Sequence, residues 1–198
     1  YEPVRPAVSQ MTRTCAYDRP GTGQSGPASG CRDLDDLTAE LAELLEVADE
    51  KGPYVLVAAS GGGFIAAGFA AENREDIAGM VFLDVPGHEF DPPPDIMELL
   101  ACDHPDSNPE RRDFVGVERE AWEARAEIGD IPVTIMSAVY GPDAPAEDQL
   151  NADIQKGWLV LSPRATQVRL TTGHDVVGGQ HELVIAEIEK VVLAARAP

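Results

Sequence analysis

The hydrophobic residues of this chain are gathered in short continuous runs that alternate with amphipathic or mixed segments. Five of these runs predict strands buried on both faces of a parallel sheet, because their apolar residues are consecutive rather than alternating. The runs cover residues 14–17, 54–58, 80–85, 133–138 and 168–171. Between the first two, leucines spaced three or four residues apart from Leu34 to Leu45 predict an amphipathic helix with three aspartates at its start.

Further helices are predicted directly after Ser60 and over residues 182–195, so strands and helices alternate along the chain. This order predicts an α/β fold with a mostly parallel sheet and helices on both faces, in a single domain spanning residues 1–198. Residues 86–131 interrupt the alternation with the proline-rich stretch PGHEFDPPPD and two weak helical patches. An insertion of this size between core strands is typical of a lid over a functional site.

The charge of the chain narrows the range of partners. Its 35 acidic and 15 basic residues give a net charge of -20, which argues against binding to nucleic acid or to an anionic membrane surface. No apolar run approaches the roughly 18 residues that span a bilayer. The opening YEPVRPAVSQ has neither an initiating methionine nor a signal-peptide pattern, so we expect the chain to be part of a longer protein. Compartment and oligomeric state stay open.

The stretch VAASGGGF joins the second predicted strand to the following helix and places Ser60 at the tip of the turn. Ala58 and Gly62 stand two residues before and after it, which is the G-x-S-x-G nucleophile-elbow pattern with alanine in place of the first glycine. The competing interpretation is a phosphate-binding loop, but neither G-x-G-x-x-G nor G-x-x-x-x-G-K-S/T fits the stretch. We therefore predict that Ser60 is a nucleophile and that the Gly61 N–H contributes to an oxyanion hole.

A serine nucleophile needs a base, and the chain offers four histidines. His88 and His104 lie in the proline-rich insertion, and His181 directly precedes the last predicted helix. His174 follows the last predicted strand, at the same edge of a parallel sheet as the turn that carries Ser60. This placement predicts His174 as the base.

Four blocks of the chain resemble the α/β-hydrolase fold superfamily, most closely its actinobacterial esterase/lipase-like serine hydrolases. They are CAYDRPGTGQS, GPYVLVAASGGGF, AGMVFLDVPGHE and TGHDVVGGQHELVIAEI, and they stand in the family's order. The resemblance implies cleavage of a carboxylic ester, in a small molecule with a mostly uncharged acyl group, through an acyl-enzyme. It also implies that a strand and a second oxyanion donor precede the first run, so we expect the sheet of this chain to lack its N-terminal strands.

The resemblance places the acid of the triad at one of two positions. Asp84 ends the run at 80–85, where a subset of these hydrolases carries the acid, and Asp143 follows the run at 133–138. We favour Asp84 and keep Asp143 as the alternative; either would orient His174. Thioester or lactone hydrolysis and perhydrolysis use the same triad. A non-catalytic binding protein of this fold is the competing class, whereas a dehalogenase or epoxide hydrolase needs an aspartate where Ser60 stands.

The remaining candidate residues concern the pocket and the cysteines. Trp122 and Trp158 are candidate substrate contacts in an acyl pocket. Cys31 and Cys102 lie in polar connections and could form one disulfide, while Cys15 is expected to pack inside the first run. The histidines and cysteines show no paired metal-ligand spacing, so we expect neither a metal nor a cofactor.

Overall fold

Four parallel strands, adjacent in chain order, form the sheet in a computed structural model that describes residues 2–87, 93–141 and 143–197. They are β1 (Tyr54–Ala59), β2 (Ile77–Leu83), β3 (Val133–Val139) and β4 (Ala165–Thr171). The register pairs Ala59 with Leu83 and Leu83 with Met136, so the strands end close together at one edge. The predicted α/β fold with a parallel sheet is confirmed.

Helices cover both faces of the sheet, as predicted. They are α1 (Arg5–Val8), α2 (Leu34–Val47), α3 (Gly62–Glu72), α4 (Pro94–Leu100), α5 (Phe114–Ala124), α6 (Ala146–Ile154), α7 (Val176–Gly179) and α8 (His181–Arg196), with 3₁₀ segments at Arg74–Asp76 and Gln155–Leu161. Helices α2, α3 and α5 pack together on one face, and α8 with α1 packs on the other. Among the described residues, no helix is long and apolar enough to cross a membrane.

The continuous apolar run of β2 divides its side chains between two cores. Met80 and Phe82 belong to the core on the side of α2, α3 and α5, whereas Val81 and Leu83 belong to the core on the side of α8. Successive side chains of a strand point to opposite faces, so a strand covered on both faces needs apolar residues at every position. This is why β2 and β3 are almost entirely buried.

The aspartates at the start of α2 form its N-terminal cap. The Asp33 carboxylate accepts the N–H of Asp36 at 2.9 Å, and Asp36 accepts the N–H of Asp33 at 3.3 Å. This reciprocal arrangement satisfies backbone donors that the first turn of a helix leaves without partners. The predicted start of this helix is therefore confirmed.

The predicted strand at 14–17 is wrong. These residues have no regular secondary structure, Cys15 is exposed rather than packed, and no strand within the described part of the chain pairs with the free edge of β1. An apolar run becomes a strand only when its backbone groups find a partner strand. Cys31 and Cys102, left open by the sequence, form a disulfide that links the segment before α2 to the insertion.

Candidate active site

Ser60 lies on a sharp turn between β1 and α3, with a φ of 49°. Its N–H donates to the Leu83 carbonyl at 3.0 Å, and its own carbonyl accepts the Gly63 N–H at 2.9 Å. A side chain at Gly63 has no room, because an ideal Cβ there would lie 2.2 Å from Val85 Cγ2. A non-glycine residue in the left-handed region is strained and persists only when its surroundings hold it. The backbone bonds and the close packing of α3 hold Ser60 in this way.

His174 follows β4 and faces Ser60 with one ring nitrogen and Asp84 with the other. Its Nε2 lies 3.0 Å from Ser60 Oγ, and its Nδ1 lies 2.7 Å from Asp84 Oδ2. Directly after His174, the Asp175 carboxylate accepts the Gly178 N–H at 2.8 Å and caps α7, which stabilises the loop that carries the histidine. The His174 side chain is 62% exposed, so the imidazole is open to solvent and to ligands.

Asp84 follows β2 and is almost fully buried, with 6% of its side chain exposed. Its Oδ1 accepts the Ala138 N–H at 3.0 Å and the Gln155 Nε2–H at 2.9 Å. Its Oδ2 is left for His174 Nδ1, so the ring donates its Nδ1 proton to the carboxylate. The lone pair of Nε2 then faces Ser60 Oγ, as removal of the serine proton requires.

The other sequence candidates lie elsewhere. Asp143 is exposed, and within the described residues no hydrogen bond connects it to His174. His104 is exposed in the insertion, where its nearest carboxylate is that of Asp103 at 4.0 Å, and His181 begins α8. His88 lies outside the described residues. The structure therefore brings together Ser60, His174 and Asp84.

Gly61 caps the N-terminus of α3 directly after Ser60 and contacts the insertion. Arg112 Nη1 donates to the Gly61 carbonyl at 3.2 Å, while its guanidinium stacks 3.8 Å from the centre of the Phe114 ring. Arg112 is only 4% exposed, and burial lowers the pKa of its guanidinium from the ordinary value. This buried contact between the insertion and the turn has no sequence signal, because the two residues are 51 positions apart.

The two tryptophans belong mainly to the core. Trp158 is fully buried, its indole N–H donates to the Pro86 carbonyl at 2.9 Å, and its ring packs edge-on against Phe64, Phe82 and Trp122. A fully buried ring has no surface for a ligand, so this placement corrects the expectation that Trp158 contacts substrate. Trp122 is partly buried and stacks against Arg125. Within the described residues, no three histidine, cysteine or carboxylate side chains are grouped to hold a metal ion.

The chain matches a known protein family over almost its whole length. Residues 3–191 match the sequence model of the Alpha/beta hydrolase family, so the chain belongs to that family. Uncharacterized protein C23C11.06c of Schizosaccharomyces pombe is 41% identical over 81 residues, which are 41% of this chain but only 15% of that protein. The chain thus spans a small part of this curated relative.

Solved structures share the fold at low identity. Epoxide hydrolase CorEH superimposes with a TM-score of 0.71 at 18% identity, covering 99% of this chain and 87% of that chain. Carboxylesterase CesB from Bacillus subtilis gives 0.66 at 16% identity, covering 96% of this chain and 77% of that chain. The predicted resemblance to the α/β-hydrolase fold is confirmed.

Proposed function

We propose that this protein is a serine hydrolase that cleaves carboxylic esters through an acyl-enzyme. The observation that carries the proposal is the contact chain from Ser60 Oγ to His174 Nε2 at 3.0 Å and from His174 Nδ1 to Asp84 Oδ2 at 2.7 Å. A nucleophile, a base within hydrogen-bond reach and a group that orients the base define this chemistry. Family membership and the esterases among proteins of the same fold are consistent with it.

The reaction would proceed in two halves. Ser60 Oγ attacks the ester carbonyl while His174 Nε2 takes the hydroxyl proton, and Asp84 stabilises the imidazolium that results. The Gly61 N–H donates to the oxyanion, and Nε2 returns the proton to the departing alcohol. Water then attacks the acyl-enzyme and gives a proton to Nε2, and Nε2 passes that proton to Ser60 Oγ as the intermediate collapses and releases the acid.

Residues 86–131 would serve as the cap over this site. The α5 part is fixed in the core through Val117 and Ala121, whereas α4 has no buried residue. Arg112 joins the segment to the Gly61 carbonyl, next to the nucleophile. We therefore assign α5 as the fixed base of the cap.

A neutral fluorophosphonate probe tests the proposal. With the protein expressed from its complete reading frame, the probe should label the wild type and a Ser107→Ala control, which lacks an exposed serine in the insertion, but not Ser60→Ala. Hydrolysis of 4-nitrophenyl butyrate should follow the same pattern. Absence of labelling in the folded wild type would contradict the proposal and favour a non-catalytic binding protein. Labelling without ester turnover would direct the search to thioesters, lactones or peracids.

A further inference from the structure

Gln155 is a fully buried side chain that contacts the candidate acid. It opens the 3₁₀ segment Gln155–Leu161, directly after α6, and its Nε2 donates to Asp84 Oδ1 at 2.9 Å. The two residues are 71 positions apart, so the contact is made by the tertiary fold. Gln155 thus supplies a buried hydrogen-bond donor to the buried carboxylate of Asp84.

The hydrogen bonds define which way the amide group of Gln155 points. Asp84 Oδ1 is an acceptor, because it also receives the Ala138 N–H at 3.0 Å, so the amide nitrogen rather than the oxygen must face it. The Oε1 of Gln155 is buried and has no hydrogen-bond partner among the described residues. An unpaired buried carbonyl destabilises a fold. The presence of Gln155 is therefore better explained by the hydrogen bond that its amide donates to Asp84 than by a contribution to the free energy of unfolding.

We propose that Gln155 is a positioning residue for the triad: its amide holds Asp84 Oδ1 so that Oδ2 faces His174 Nδ1. The inference rests on the proposed function, in which His174 removes the proton of Ser60. With two donors on Oδ1, the carboxylate cannot rotate without breaking both bonds. The donors also spread its negative charge, which moderates the attraction between Asp84 and a protonated His174.

Several charged residues lie in the elements around Gln155 and His174. Asp84 is the one that contacts both Gln155 and His174 in the described structure. The other charged residues of the surrounding elements are Glu147, Asp148 and Asp153 in α6, Lys156 directly after Gln155, Arg169 in β4, which pairs with Asp153, Arg125, which donates to the Gly157 carbonyl, Arg112, which donates to the Gly61 carbonyl, and Asp175 after His174. Asp84 is therefore the charged group through which a change at Gln155 can act on His174.

Gln155→Met removes the donor and keeps the length of the side chain. We expect kcat/KM for 4-nitrophenyl butyrate to fall about 10-fold to 100-fold, because a small displacement of an orienting group misaligns the base. We also expect the titration of His174, followed by NMR of its imidazole, to differ from that of the wild type, because Gln155 sets both the position and the charge distribution of its partner Asp84. The melting temperature of Gln155→Met should be no lower than that of the control variant Gln167→Met.

Gln167→Met is the matched control. Gln167 lies in β4 and donates to Ser137 Oγ at 2.8 Å and to the Ala152 carbonyl at 2.6 Å, without touching the triad. Its replacement should lower the melting temperature and leave both kcat/KM and the His174 titration close to those of the wild type.

Gln155→Glu provides a conservative rescue with a pH signature. A protonated carboxyl can donate to Asp84 Oδ1, and burial beside Asp84 should raise the pKa of the introduced group. At about pH 6, kcat/KM should exceed that of Gln155→Met, and this advantage should vanish as the introduced carboxyl ionises at higher pH. If Gln155 only filled space in the core, Gln155→Glu would not show this dependence of kcat/KM on pH.

The NMR arm does not depend on turnover, so failure of the proposed function and failure of this inference are distinguishable. If the wild type hydrolyses no ester, the proposed function fails, and the His174 titration still reports whether Gln155 acts on the Asp84–His174 pair. A His174 titration in Gln155→Met that coincides with that of the wild type overturns the inference. An unchanged kcat/KM in an active enzyme also overturns it.

Discussion

Replacing Asp84 with asparagine tests which carboxylate serves the triad. In an Asp84→Asn variant, the amide oxygen would take the place of Oδ1, because both groups that face it, Ala138 N–H and Gln155 Nε2–H, are donors. The amide nitrogen must then face His174 Nδ1 and donate to it. His174 would carry its proton on Nε2, where it can no longer accept the proton of Ser60.

The expected loss follows from this change of tautomer. An asparagine that preserves geometry but imposes the wrong tautomer costs about 10⁴-fold in a Ser-His-Asp triad, equivalent to about 5 kcal/mol of transition-state stabilisation. We expect kcat/KM of Asp84→Asn to fall by about 10³-fold to 10⁴-fold. The matched variant Asp143→Asn removes an exposed carboxylate and should change kcat/KM by about twofold or less.

The assay is hydrolysis of 4-nitrophenyl butyrate over a range of pH, with folded protein quantified by circular dichroism. A large loss in Asp143→Asn together with a small loss in Asp84→Asn would refute the reasoning and transfer the role to Asp143.

Three further predictions concern stability. Ser60→Gly should raise the unfolding free energy by about 1 kcal/mol while abolishing probe labelling, since glycine accepts a φ of 49° without strain; an unchanged denaturant midpoint would contradict this. Reducing the Cys31–Cys102 disulfide should lower the unfolding free energy by about 4 kcal/mol, because the disulfide closes a loop across 71 positions. Equal urea midpoints with and without reductant would argue against this prediction. Burial opposes ionisation of Glu110, but hydrogen bonds and attraction from Arg19 lower its pKa overall. The Glu110–Arg19 pair stabilises the fold above about pH 4.5, and this stabilisation is lost as the pH falls through the lowered pKa of Glu110. The unfolding free energy of Glu110→Gln should therefore fall less on acidification than that of the wild type. Parallel curves of unfolding free energy against pH for the two proteins would contradict this.

Local patterns in the sequence were sufficient for much of the fold. Continuous apolar runs predicted β1 to β4, since strands covered on both faces need apolar residues throughout. The turn at Ser60 was also predictable, because only small residues allow a helix to pack so closely after a strand. The position of His174 follows from a rule of parallel sheets, in which the carboxyl ends of all strands meet at one edge.

Contacts between distant residues were decided by the tertiary structure. Asp84 and Asp143 both follow strands of the same sheet, and only the register and the left-handed φ of Asp84 aim its carboxylate at His174. The partnership of Gln155 with Asp84 has no signal in either local sequence. The sequence by itself therefore determined the strands, the turn and the edge at which the site forms, because these depend on neighbouring residues. Which side chains meet there depends on how the elements pack, and an apolar run such as 14–17 stays irregular when no strand lies beside it.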